Sequence, residues 1–147
     1  MFLILFFSFS KHSLAKDKSL YITEINWAGS SSSSADEWLE IYNNSEFDID
    51  LKSYQISFIL STGEKYIPLS GIIKKNDYFL IANNSKDYVF SNGQSMLNID
   101  PDFISSSLSI SNSSLLIKLF KLSDNGLDEI DIVGDGKAPF FGQTGVY

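Results

Sequence analysis

The sequence predicts an all-β fold, a sandwich or barrel of about nine short antiparallel strands. Three observations carry that reading. From Leu20 onward apolar residues recur at every second position, the spacing of strands with one face in a core and the other in water. Turn residues interrupt those runs at short intervals, among them Thr62-Gly63, Asn92-Gly93 and Asn125-Gly126. No window carries the apolar spacing of a helix longer than about two turns.

Taken in order, the first element is LYITEINW at 20–27. Over 36–43 the pleat puts Trp38, Glu40 and Tyr42 on one face and Glu37, Leu39 and Ile41 on the other, so Glu37 and Glu40 cannot act together. Phe47, Ile49 and Leu51 alternate with Asp48 and Asp50, and Tyr54, Ile56, Phe58 and Leu60 alternate with polar Gln55 and Ser57. The Thr62-Gly63 turn leads into 64–67, and Lys75-Asn76-Asp77 into 78–82. That segment, YFLIA, is apolar on both faces and is expected to be a central strand covered on both sides. The stretch 91–102, with Pro101, reads as a loop crossing between sheets. Leu108 and Ile110 alternate with serines as a further strand. The strands at 115–122 and 127–133 are joined by Asp124-Asn125-Gly126, whose Asn-Gly suits the positive φ angles of a tight hairpin. In the last strand Ile130 and Ile132 are expected to face the core and Glu129 and Asp131 the water. The serine run at 30–34 reads as a solvated linker loop.

The 147 residues suit one domain, large enough to bury about two thirds of the surface its unfolded chain exposes without a disulfide or metal staple. The amino end has the layout of an exported precursor. FLILFFSF at 2–9 matches a signal-peptide apolar core and is too short to span a bilayer, and Ser13-Leu14-Ala15 supplies small residues for cleavage. The expected organisation is a signal peptide at 1–15, a β-domain at 20–133 and a Gly- and Pro-containing tail at 134–147. This gives a secreted, periplasmic or cell-surface protein whose mature domain holds no transmembrane span.

The residue inventory excludes several chemistries. The net charge is −7, and every one of the 11 basic residues is lysine. Nucleic-acid binding rests on clustered cations and on arginine as a bidentate reader of guanine, so an acidic, arginine-free chain argues against that partner. Cysteine is absent and the lone histidine, His12, lies in the leader. The mature domain therefore lacks Ser-His-Asp and Cys-His catalysis and the common zinc ligand sets. No Gly-rich phosphate loop is present. Carboxylate pairs could still do acid/base work, from Asp36, Glu37 and Glu40 or from Asp128, Glu129 and Asp131. Asp124-Asn125-Gly126 and Asp135-Gly136 look like pieces of a calcium loop, but turn formation explains both. No catalytic residue, metal or other cofactor is expected.

Four blocks together resemble the lamin tail domain family, in the form found in bacterial secreted proteins. They are LYITEINW at 20–27, DEWLEIYNNSEFDIDLKSY at 36–54, IPLSGIIKKNDYFLIA at 67–82, and the closing hairpin at 108–133 with LSISNSSLLIKLF and EIDIV. The second block, similar to the family's Glu-Trp-x-Glu-x-Tyr-Asn strand, is the most specific. The resemblance implies an immunoglobulin-like antiparallel β-sandwich and a non-catalytic binding or scaffolding role. It brings no family-wide catalytic set. The sequence departs from the family's bacterial members in having no clear continuation of the pattern after Val133.

The binding candidates are Trp27, Asp36 and Glu37, at the two ends of the segment that holds the serine run. Trp27 is the aromatic best placed for exposure, whereas Trp38 and Tyr54 are expected to pack in the core as amphipathic ring residues do. The partner expected is a protein or glycan at the cell surface. The alternative reading is a carbohydrate-binding domain or fragment appended to a secreted hydrolase.

Overall fold

A computed structural model describes residues 19–139; the expected leader at 1–15 and the end of the tail lie outside them. The strands are β1 Leu20–Asn26, β2 Trp38–Asn43, β3 Ile49–Asp50, β4 Tyr54–Leu60, β5 Gly63–Pro68, β6 Ile72–Ile73, β7 Tyr78–Ala82, β8 Val89–Phe90, β9 Gly93–Gln94, β10 Phe103–Ile104, β11 Leu115–Ser123 and β12 Gly126–Lys137. A 3-10 turn, Leu51–Ser53, joins β3 to β4. One sheet has the order β1-β2-β7-β10 and the other β12-β11-β4-β5, with β3-β6 and β8-β9 as two-residue pairs. No described helix is long and apolar enough to cross a membrane. This is a two-sheet sandwich, one of the two forms the alternation predicts, and the immunoglobulin-like form that the resemblance implies.

The core forms where the inward faces of the two sheets meet. Leu20, Ile22, Leu39, Ile41, Phe79 and Ile81 come from the first sheet, and Ile56, Phe58, Ile67, Ile117 and Leu119 from the second. Alternation selects these residues directly in β2, where Leu39, Ile41 and Asn43 are buried and Trp38, Glu40 and Tyr42 are half-buried on the outer face. Trp38 is thus not a core residue. Tyr54 is. β7 is central, flanked by β2 and β10, and four of its five residues are buried.

Four expectations are corrected. The loop after β7 does not cross between sheets. It returns to the same sheet, where β10 pairs with β7 in parallel, Phe103 against Ile81. A parallel neighbour requires such a long return connection, and Asp102 locks it by accepting a hydrogen bond from the Leu80 N–H at 2.8 Å. The loop also contains β9, so it is not wholly without strand.

The segment around Leu108 and Ile110 is not a strand, although both residues are buried. Its backbone turns, with the Leu108 N–H on the Ser105 carbonyl at 2.8 Å. Nor is the serine run a solvated loop throughout: Ser30 and Ser32 are buried.

The last strand keeps Ile130 against the core and Glu129 exposed as expected, but exchanges the faces of Asp131 and Ile132. Leu119 pairs with Asp131 but Phe120 pairs with Glu129, leaving Ile130 as the extra residue of a bulge. A one-residue slip exchanges the faces of everything beyond it. Ile132 is therefore 42% exposed while Asp131 is 6% exposed. Asp131 accepts a hydrogen bond from the Ile22 N–H at 2.8 Å, linking β12 of one sheet to β1 of the other. β12 continues through Lys137, four residues past Val133, so the sheet supplies its own closing contacts with β11. Asp131→Ala is expected to cost about 2 kcal/mol by stranding the Ile22 donor, whereas Asp131→Asn, which keeps an acceptor, should cost about half as much. Urea melts of the two variants compare them, and equal losses would remove this bond from the account.

Candidate functional site

The three sequence candidates lie on the two sides of the connection between β1 and β2, and the structure separates them. Trp27 follows the end of β1 and is half-buried against the core. With Ile25, Leu115, Val133, Ala138 and Pro139 it lines an apolar cleft of about 300 Å³ between β1 and the far end of β12. Asp36 and Glu37 stand before β2, both buried, at 3% and 7% exposure.

The serine segment places them there. Gly29 adopts φ +73, and a Cβ on it would lie 2.4 Å from the Ser33 carbonyl oxygen, so glycine is required by space as well as by backbone angle. Ser30 N–H donates to the Ser33 carbonyl at 2.9 Å, and Asp36 N–H to the same oxygen at 3.1 Å. The Ser32 hydroxyl donates to the Gln94 carbonyl at 2.5 Å, tying the turn to the β8-β9 hairpin. The result is a folded corner.

Asp36 serves as the pin of that corner. One carboxylate oxygen accepts from the Ser95 hydroxyl at 2.6 Å, the other from the Met96 N–H at 2.8 Å. Its own carbonyl accepts from the Asn26 side chain at 3.0 Å. Both oxygens are engaged in holding the return loop, so the side chain presents little to a ligand. Asp36→Asn would keep an oxygen for the Met96 N–H but set its NH2 against the Ser95 hydroxyl, which loses its acceptor. A loss of about 2 kcal/mol is expected, read as a lowered denaturation midpoint with an unchanged slope.

Glu37 points the other way. One of its oxygens, Oε2, accepts from the Ile110 N–H at 2.9 Å, fastening the 105–114 loop to the start of β2. The Glu37 carbonyl accepts from the Asn83 N–H at 3.0 Å, and the Asn83 side chain in turn donates to the Leu108 carbonyl. Burial pushes the Glu37 carboxyl up from 4.5 to about 7, and the single backbone hydrogen bond only partly offsets it. Glu37 shares an open cleft of about 460 Å³ with Ser34, Ala35, Asn83, Ser106, Ser109 and Asn112.

Sequence reading found Glu37 but not this company. Ser106, Ser109 and Asn112 sit in a segment whose alternation suggests a strand, and nothing local to them signals a cleft. Among the described residues no group of three or more His, Cys, Asp or Glu side chains is placed to hold a metal ion. The Asp124-Asn125 pair is the two-residue turn of the β11-β12 hairpin, with Ser123 opposite Gly126. Asp135 caps its own turn by accepting from the Lys137 N–H at 3.0 Å.

The comparison with known families agrees with this architecture. No curated protein matches the chain. The family model for the Lamin Tail Domain matches residues 14–137, running from the end of the expected leader to the last residue of β12. That span covers both sheets, the serine corner and the closing hairpin. The chain belongs to the lamin tail domain family, whose members are immunoglobulin-like, non-enzymatic modules.

Proposed function

We propose that this domain is a non-catalytic binding or scaffolding module of an exported protein, acting at the cell surface or in the periplasm on a glycan or protein partner. Family membership carries the reading. Several observations support it. Among the described residues Glu37 is the only charged side chain lining its cleft, whereas acid/base hydrolysis works with two facing carboxylates. Asp36, next to it in the chain, has both oxygens engaged by the 95–96 backbone and hydroxyl. The apolar run at 2–9 with Ser13-Leu14-Ala15 supports export, and the acidic, arginine-free composition argues against a nucleic-acid partner.

The test uses the full chain with a carboxyl-terminal tag. Export predicts a product beginning at Lys16 in the extracellular or envelope fraction. An intact Met1 in the cytosol would overturn export. The mature product is then incubated with glycans, cell-wall fragments and envelope proteins. Retention of one class without turnover is expected; silence towards all three, or release of a product, would overturn the binding role.

A further inference from the structure

The Glu37 cleft combines features that point to a particular ligand chemistry. The side chain is 7% exposed, yet only Oε2 is hydrogen-bonded. Its second oxygen takes no hydrogen bond from any described residue, and it is not sealed off, since no buried side-chain oxygen among the described residues lacks a partner. Solvent therefore reaches that oxygen, and Glu37 is one of the residues lining the cleft. Ser34, Ser106, Ser109 and Asn112, all exposed, line the same cleft. Among the described residues no lysine lines the walls to give the carboxylate a counter-charge there.

We propose that this cleft binds a sugar ring bearing a free amine, the ammonium seated on the open Glu37 oxygen and the ring hydroxyls on the serine and asparagine wall. The inference rests on the binding-module reading above and supplies it with a site and a ligand class. A carboxylate in a desolvated, uncompensated position gains most from a cation that brings its own hydrogen-bond donors. The lifted Glu37 pKa of about 7 shows the same demand, met by a proton when no other cation is present. The walls decide between carriers of the ammonium. A lysine side chain would lay four methylenes along the cleft and needs an apolar wall, for which Ala35, Leu108 and Ile110 stand against five residues bearing hydroxyls or amides. A hydroxylated ring uses them. The volume of about 460 Å³ lies within the range of small-ligand clefts.

The experiment titrates the purified chain at pH 7.5, followed by backbone amide NMR. The probes are glucosamine oligomers, their N-acetylated counterparts, glucose oligomers and cadaverine. Glucosamine oligomers are expected to shift the amides of Glu37, Asn83 and Ile110. The N-acetylated and glucose forms should bind at least about 10-fold more weakly, and cadaverine likewise. Glu37→Gln should weaken glucosamine binding by a similar factor while keeping the Ile110 hydrogen bond, because an amide oxygen can accept from the same N–H. Its dispersed spectrum guards against reading an unfolded variant as a loss of binding.

Equal binding of acetylated and free amines, unchanged affinity in Glu37→Gln, or no shift with any probe would each overturn the proposal. Cadaverine binding as tightly as the amino sugar would overturn the part assigned to the hydroxyl wall. Retention of a different envelope component, unaffected by Glu37→Gln, would leave the binding-module reading standing and defeat this one alone.

Discussion

Replacing Asn43 by alanine is expected to lower the stability of the domain by about 3 kcal/mol. Asn43 ends β2 on the inward face and is fully buried. Its amide donates to the carbonyls of Phe47 at 2.8 Å, Lys74 at 3.0 Å and Ile73 at 3.2 Å. Its carbonyl oxygen accepts from the Ser45 N–H at 2.9 Å and the Ser45 hydroxyl at 2.7 Å. Its backbone N–H and carbonyl are also used, on Asp77 and by Asn76. One side chain thus supplies donors and acceptors to two turns, the one after β2 and the one before β7. Alanine would leave buried carbonyls without donors, each costing about 1–3 kcal/mol where water cannot enter, and would leave a small void besides. Asn43→Asp is a sharper control: it keeps the acceptor for Ser45 but sets negative charge against three carbonyl oxygens, so it should be at least as damaging. Ser45→Ala removes one hydroxyl near the surface and should cost less than about 1 kcal/mol. Urea denaturation measures all three. A loss under about 1 kcal/mol for Asn43→Ala would mean that water replaces the amide and that the two turns hold themselves.

The same residue marks the limit of what the sequence discloses. Alternation identifies the inward residues of β2, and an unbroken apolar run the central β7, because these two strands are regular and pair with each other along their length. Asn43 falls in the inward register too, but nothing local says that three carbonyls from elsewhere in the chain converge on it. Asp36 and Glu37 are similar. Their decisive bonds join residues 59 and 73 positions away, and a window of ten residues cannot contain them. β12 fails for another reason. Its pattern is a clean alternation, and the bulge at Ile130 arises only from the pairing with β11. Leu108 and Ile110 alternate as strand residues do and are buried, but their backbone joins no described sheet. Period-two patterning reports which side chains are buried. The sheet partner then decides whether the backbone is paired.

Two acidic neighbours with opposite energetic signs follow from these surroundings. Asp36 sits where two donors converge, so its carboxylate is matched. Glu37 is mostly buried and is offered one donor, its second oxygen within reach of solvent. A site that is merely structural would gain by exchanging Glu37 for a neutral isostere. Retaining an ionisable group there costs stability and leaves one charged oxygen for a ligand, the stability-for-function exchange common at binding sites.

The size of that cost can be measured. The folded-state carboxyl is raised from 4.5 to about 7, so between those values the folded protein holds a proton that the unfolded chain releases. Stability conferred by the neutral form is complete below about pH 4.5 and lost as the pH rises through about 7. At about 1.4 kcal/mol for each pH unit in that window, the ionised form costs the folded state about 3 kcal/mol at pH 8. Glu37→Gln keeps an acceptor for the Ile110 N–H and removes the charge. It is therefore expected to raise the stability by about 2–3 kcal/mol at pH 8, a rise in melting temperature of roughly 4–12 °C for a domain of this size, and to change it by less than about 1 kcal/mol at pH 4. Thermal melts of both proteins across pH 4 to 8 separate the effect from general acid stabilisation, because only the difference between the curves belongs to Glu37. A difference that stays flat with pH would place the carboxylate in contact with solvent and remove the energetic reason for a cation to bind it.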